Sequence, residues 1–573
     1  MTKKFLILAI LVLTSVPLFA QTVTTQWVRR YNGPDNSRDN AYDLAVDISG
    51  NVYVTGNGAW GDFVTIKYSP LGDTAWVRNY TGSGGSVGWG IAVTYWGMVH
   101  VTGWTGSYPN YDGVTLKYSP SGDTAWVRRY DGPIHGMDYL QAIAVDNSDN
   151  VYVTGYSAYS DWRSQFLTIK YYHNGDTAWV RRFSSSEGGT DYGYDIAVDD
   201  GGYVYVTGYG YPPEGSSDCI TIMYYPEGDT VWTRRYAGPA NGGDYGNTIA
   251  VDPSGNVYVT GSTWNDGTHE DYLTIKYDNS GNELWVAVYD GPINASDRSE
   301  AIAVDDSGNV CVTGVVNQTP NGEAKAYVDP SSSLPGTRQM KRIGEPPGDF
   351  GTIKYYPGGD TVWVRIYDGP GNSYDGARDV ALDSAGSVYV TGYSSQNNQY
   401  PYNRDYTTIK YRADGDSAWM MRYNGPGDSD DEARAIAVDG SGNVYVTGYS
   451  FGDGGAEQDY ATIKYGQTET SVGEEADGSI IPSFTLQQNY PNPFNPKTVI
   501  QYSIENPAHI SLKVYNIKGQ LIRTLVNQRK SSGIHRLLWD GKDAKGMEVS
   551  TGIYFYRLKT GEFTQTKKMV LLK

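Results

Sequence analysis

Apolar and polar residues alternate in short runs along most of the chain, and the runs recur. Ile-Ala-Val-Asp and Asn-Val-Tyr-Val-Thr-Gly, in variants, are rich in β-branched and aromatic residues and are split by Ser-Gly-Asn, which is the pattern of a hairpin. Thr-Ile-Lys-Tyr supplies a third strand. After a Pro/Gly/Asp turn, Trp-Val-Arg-Arg-Tyr supplies a fourth. The threonine of the second run returns at Thr55, Thr102, Thr154, Thr207, Thr260, Thr313, Thr391 and Thr447, a period of about 50 residues. No amphipathic-helix period interrupts the array. Four strands in a unit of this length predict a β-propeller blade that buries its faces on its neighbours.

The ends of the array set its closure. The tryptophan of the fourth strand occurs at Trp27, Trp76, Trp126, Trp179, Trp232, Trp285, Trp363 and Trp419, so the first copy precedes the first hairpin and none follows Thr462-Ile-Lys-Tyr465. An N-terminal strand completing the last blade would leave no open edge. The predicted fold is all-β: an eight-bladed propeller over residues 21–465, closed by the Trp27 strand, with a small immunoglobulin-like β-sandwich over 484–573. Residues 1–20 read as a signal peptide, with Lys3 and Lys4 before the apolar run Phe5 to Leu13 and Ala20 at the cleavage site. Residues 466–483 are polar, acidic and aperiodic, as a linker is. No later apolar stretch is long enough to cross a bilayer as a helix.

Composition narrows the partners. Seventy Gly and 51 Tyr suit a turn-dense array packed with aromatics, and Cys219 and Cys311 fall on strands of different blades as two buried thiols. A net charge of −19 argues against nucleic acid. Cations, sugars and basic protein patches remain as ligands.

Two resemblances follow from motifs. The eight Ala-Val-Asp-x-x-Gly-Asn-Val-Tyr-Val-Thr-Gly copies resemble the bacterial β-propeller repeats of exported proteins, which implies a fold and leaves activity open. The segment Tyr490, Pro491, Asn492, Pro493, Phe494, Asn495, Pro496 is followed by Val514-Tyr-Asn-Ile-Lys-Gly519, Trp539-Asp-Gly541, Gly552-Ile-Tyr-Phe-Tyr556 and Lys568-Met-Val-Leu-Leu-Lys573. Together these resemble the C-terminal sorting domain of the type IX secretion system, which is related to the immunoglobulin-like domain of the flagellar hook-capping protein. That resemblance implies passage through the type IX machinery of a Gram-negative-type envelope, a cut in the linker, and a secreted or surface-attached product. The physical alternative is a sandwich that stays on the protein and helps it bind.

Positions filled alike in every blade serve the blade first. The eight tryptophans are expected between blades. The Gly-Asp-Thr-x-Trp turn sits where sialidase-type propellers carry their Asp-box but has Gly and Asp in the other order, so it reads as a turn staple. Two carboxylate rings are expected on one face. One comprises Asp39, Asp138, Asp191, Asp244, Asp297, Asp375 and Asp431; the other comprises Asp62, Asp112, Asp218, Asp271, Asp349, Asp405 and Asp459. Crowded carboxylates favour neighbouring Lys and Arg or a bound cation, with calcium the candidate, whereas an Asp that caps its own loop needs neither.

Blades that break the pattern are the candidates for a ligand. Blade two carries Tyr95, Trp96, His100, Trp104, Tyr108 and Tyr111, suited to stacking on a glycan. Blade six carries about 34 residues between Gly314 and Asp349, including Lys341 and Arg342. The propeller's few histidines have no metal-ligand spacing, and no nucleophile elbow or Walker loop is present. A secreted or cell-surface binding protein with a glycan or protein ligand is therefore expected rather than an enzyme. The alternatives are a propeller enzyme acting on polysaccharide, with carboxylates such as Asp138 or Glu300, and a structural envelope component.

Overall fold

The computed structural model describes residues 19–317, 348–471 and 484–572, apart from short stretches within each. The named elements among the described residues are all strands, with no α-helix and hence none long and apolar enough to cross a membrane. The chain divides into two compact units, Met1–Val472 and Gly473–Lys573. Of residues 1–20, read as a signal peptide, 1–18 lie outside the described residues and Phe19 and Ala20 begin a strand; of the expected linker 466–483, residues 466–471 continue a strand and 472–483 lie outside, as do Lys341 and Arg342.

Unit one holds eight sheets of four strands each. Sheet 1 shows the plan: Asn40–Val46, Val52–Asn57, Phe63–Tyr68 and Thr74–Tyr80 pair antiparallel in chain order. Sheets 2 to 7 repeat it over 85–130, 138–183, 190–236, 244–289, 298–367 and 375–423. Sheet 8 takes three strands from 431–471 and its fourth from the N-terminal strand Phe19–Tyr31, with Trp27 opposite Lys464. First strands touch from each sheet to the next, and the first strand of sheet 8 also touches that of sheet 1.

Local chemistry explains the unit. In the first turn, Asp47 Oδ1 accepts the amides of Ser49 (2.8 Å) and Asn51 (3.0 Å) while its Oδ2 accepts the Tyr53 hydroxyl at 3.0 Å, so one carboxylate holds the whole Asp-x-Ser-Gly-Asn-Val-Tyr motif. Between sheets the staple is the tryptophan strand. Trp76 Nε1 donates to Pro120 O of the next sheet at 3.2 Å, and Arg78 Nε donates to Gly122 O at 2.6 Å. Gly122 has φ +87°, and a Cβ there would stand 2.8 Å from the Trp76 ring, so only glycine fits the turn. The same pair of bonds joins Trp27 and Arg29 to the 70–72 turn of sheet 1. Seven of the eight tryptophans are buried and Trp285 is half-buried. Cys219 and Cys311 are free and buried, as expected.

Unit two is a pair of facing sheets, one of three strands and one of four, around a single core that includes Ile500, Leu512, Val514, Trp539, Tyr556 and Leu571. Two described residues of the proline-rich motif explain part of that motif. Asn492 Oδ1 accepts the Val570 amide at 2.8 Å, and the buried Phe494 bridges to Leu571 and packs on Trp539 at 5.5 Å. Tyr490, Pro491, Pro493, Asn495 and Pro496 lie outside the described residues.

Candidate functional site

Every first strand carries a β-bulge at one shared place, three residues after the first-ring aspartate or its equivalent, Ser86. A bulge adds an unpaired residue and re-aims its side chain. The eight bulge residues are Tyr42, Trp89, Gln141, Tyr194, Asn247, Glu300, Arg378 and Arg434, and all are half-buried. Because consecutive first strands touch, these side chains stand on neighbouring strands at one end of the array.

The residues around them divide by chemistry. Across sheets 1 to 5 runs an aromatic arc. Tyr42 and Trp89 lie 4.5 Å apart, and Tyr139, Tyr156, Tyr192, Tyr209 and Tyr245 follow one another at 4.8 to 5.2 Å. Across sheets 6 to 8 runs a charged arc centred on the buried Glu432. Its carboxylate accepts from Arg378 Nε at 3.1 Å and from the Tyr449 hydroxyl at 3.1 Å, with Arg404 and Arg434 each 3.7 Å away. Burial alone would raise the Glu432 pKa, but Arg378, Arg434 and Arg404 hold it at about 2. The two arcs meet where the Arg434 guanidinium stacks over Tyr42 at 4.8 Å and over Tyr449 at 5.2 Å.

One residue beyond the bulge stand Asp43, Asp195 and Asp379. Each bridges two sheets: Asp43 Oδ2 accepts the Ile91 amide (2.9 Å), Asp195 Oδ2 that of Ile249 (2.9 Å), and Asp379 Oδ2 that of Ile436 (2.8 Å). Burial pushes their pKa values up to about 7, 6 and 7.

The aspartate rings resolve into loop caps, ion pairs and two clusters. Asp39, Asp138, Asp191 and Asp244 are buried and each accepts the backbone amide six residues upstream, from Gly33, Gly132, Ser185 and Gly238 at 2.6 to 3.1 Å. Asp297 does the same with Gly291. In the second ring, Asp459, Asp112, Asp218 and Asp405 pair with Arg30, Arg129, Arg235 and Arg422 of the fourth strand. Asp62 is half-buried in the loop before Phe63. In sheets 5 and 6 that arginine column holds Val288 and Ile366 instead. There the two rings converge with a third carboxylate, as Asp271, Asp290 and Asp297 and as Asp349, Asp368 and Asp375, one oxygen of each within 4.8 Å of the others. Burial, with neighbouring carboxylates adding, pushes Asp297 up to about 7 and Asp375 to about 6.

The blade-two residues correct the sequence reading. Trp104 and Tyr111 are buried in a cluster with Val87 and Tyr139, so neither presents a face to a ligand. His100 is fully buried, 3.2 Å from Asp149, and burial lowers its pKa. Trp96 is exposed, with Tyr95 against it at 5.0 Å, but both sit in the turn between the first and second strands, opposite the bulges. Tyr108 is exposed in the loop after the second strand, at the bulge end. The bulge residues were missed because each looks like one more strand residue; only the eight repeats set side by side reveal a column with no consensus.

The beta-propeller repeat family (SBBP) matches residues 26–63, 178–211, 231–267 and 418–455, and the FlgD Ig-like domain family matches 495–562. The chain thus carries four segments similar to the beta-propeller repeat family and one similar to the FlgD Ig-like domain. Among curated proteins, the chain is similar to an uncharacterized WD repeat-containing protein of Acanthamoeba polyphaga mimivirus, 23% identical over 369 residues that cover 55% of this chain and 24% of the relative. The chain thus spans about a quarter of that relative's length. Solved structures similar to it include Sqt1 from Chaetomium thermophilum (TM-score 0.42, 9% identity, 78% of this chain and 99% of that one). Another is the polysaccharide lyase Uly1 (TM-score 0.36, 11% identity, 78% and 99%). A third is PorZ, a surface component of the type IX secretion system of Porphyromonas gingivalis (TM-score 0.20, 13% identity, 93% and 81%).

Proposed function

We propose that the eight sheets are the blades of a closed propeller and that the bulge residues line the end of its central channel as a binding site for a glycan. One observation carries this reading: eight equivalent, half-buried, adjacent positions hold six different side-chain types, while the run that begins two residues later, Leu44-Ala-Val-Asp47 and its equivalents, repeats. A blade needs sameness, whereas a ligand needs difference. Aromatic faces on one side and amide, carboxylate and guanidinium groups on the other match the CH faces and hydroxyls of a sugar ring. With its signal segment and a sorting-type C-terminal domain, the protein is read as an exported, secreted or surface-attached binder that uses the type IX machinery. On a glycan array, the Trp89→Ala variant should lose binding by about tenfold or more, while Trp96→Ala at the opposite end should bind as the parent does. Equal binding by Trp89→Ala would overturn the site, and release of product from a bound glycan would replace the binder with an enzyme.

Calcium is proposed at the two carboxylate trios, because there the arginine that pairs with the ring in sheets 2, 4, 7 and 8 is an aliphatic residue. Millimolar calcium should raise the melting temperature at neutral pH, and Asp290→Asn with Asp368→Asn should abolish the rise. A calcium-independent melting temperature would remove the metal.

A further inference from the structure

Residues 484–573 carry 14 Lys and Arg against five Asp and Glu, a net +9, which leaves −28 for the rest of the chain. The excess is not spread evenly over unit two. In its four-stranded sheet the buried side chains are Ile510, Leu512, Val514, Tyr554, Tyr556, Leu558, Met569 and Leu571, so the alternate residues form the outer face. On the three strands Ala508–Asn516, Gly552–Thr560 and Phe563–Leu571 that face holds Lys513, Arg557, Lys559 and Lys568, with Tyr515 and Phe555 half-buried among them. The fourth strand, Leu521–Lys530, adds Arg529 opposite His509. No Asp or Glu stands on any of these four strands.

Register sharpens the picture. Lys513 lies directly opposite Arg557, and Phe555 lies between Tyr515 and Lys568. Like charges placed opposite each other destabilise a sheet. Here the Arg557 guanidinium stacks over Tyr515 at 5.1 Å, its Nε donates to Thr566 Oγ1 at 3.1 Å, and the described residues of the face include no carboxylate to relieve it. A folded module that holds such repulsion on an exposed, partly aromatic face has the composition of an interface whose partner supplies the opposite charge.

We propose that this outer sheet face docks an acidic segment of a partner protein, independently of what the propeller end binds. A polypeptide fits better than a lipid surface because the two aromatic rings are half-buried among the cations rather than projecting beyond them. The test uses the full chain, a glutamate homopeptide of about 20 residues as the acidic probe, and phosphatidylglycerol vesicles as the lipid probe. Two variants of equal charge change are compared: Lys513→Gln, Lys559→Gln and Lys568→Gln on the face, and Lys518→Gln, Lys542→Gln and Lys545→Gln in turns away from it. The face variant should bind the peptide about tenfold more weakly while the turn variant stays within about twofold of the parent. Its melting temperature should be unchanged or higher. Equal losses in both variants would reduce the effect to net charge and overturn the face, and vesicle binding that exceeds peptide binding would overturn the protein partner. A face variant that melts lower is replaced by Lys559→Gln alone, which is exposed and should still lose affinity.

Discussion

Protonation decides the behaviour of Asp43, Asp195 and Asp379, whose pKa values of about 7, 6 and 7 stand above the ordinary carboxylate range. A raised folded-state pKa means that the folded protein holds the proton more tightly than the unfolded chain does. Stability is then greatest at low pH, falls as pH rises from about 4 to about 7, and is level above that. Asp297 and Asp375 have the same sign. Glu432 has the opposite one, since its arginines hold its pKa at about 2 and its contribution is lost only as pH falls below about 4. The melting temperature should therefore be higher at pH 5.5 than at pH 8. Asp43→Asn combined with Asp379→Asn should narrow the gap, which separates these groups from the general approach to the pI; a melting temperature that rises with pH would contradict the assignment.

The staple between sheets is an element-scale device, in which a tryptophan strand reads the glycine turn of the next sheet. Gly122→Ala would place a Cβ 2.8 Å from Trp76 in a backbone conformation that alanine disfavours, whereas Gly546, also at positive φ, has open space around its Cβ position. In urea unfolding Gly122→Ala should cost about 2 to 4 kcal/mol and Gly546→Ala about 1 kcal/mol. Equal costs would show that backbone conformation alone matters. This device was legible in the sequence because both halves recur in nearly every repeat, and so was the pairing of the Trp27 strand with the last sheet. The bulge residues were hidden for the opposite reason. Tyr42 sits between Ala41 and Asp43 in a run that reads as ordinary alternation, and the register shift that turns it outward is a property of pairing. Burial was hidden as well: Trp104 and Trp96 are the same residue type in the same repeat, and only the neighbouring Tyr111 and Tyr139 make one of them core. The first-ring aspartates were ambiguous until Gly33 and its equivalents were seen to donate to them.

At the scale of the whole molecule, sheet 8 joins the two ends of the array. Arg30 reaches Asp459 across 429 residues of sequence, so this contact waits on nearly the entire chain and is among the costliest to close. Removing residues 21–31 should leave sheet 8 with three strands and an unpaired edge. Size-exclusion chromatography of that truncation should find it aggregated or unfolded, and a monodisperse, fully folded product would mean that the strand is dispensable. The pairing also has a direction. Gln21 lies opposite Glu469 and Tyr31 opposite Tyr460, so the chain enters and leaves the array at the same end of one antiparallel pair. Tension between the two ends would open the pair as a zipper, one rung at a time, rather than shear all its bonds at once. The seam that joins the array into one whole is thus a line along which a pull would part it.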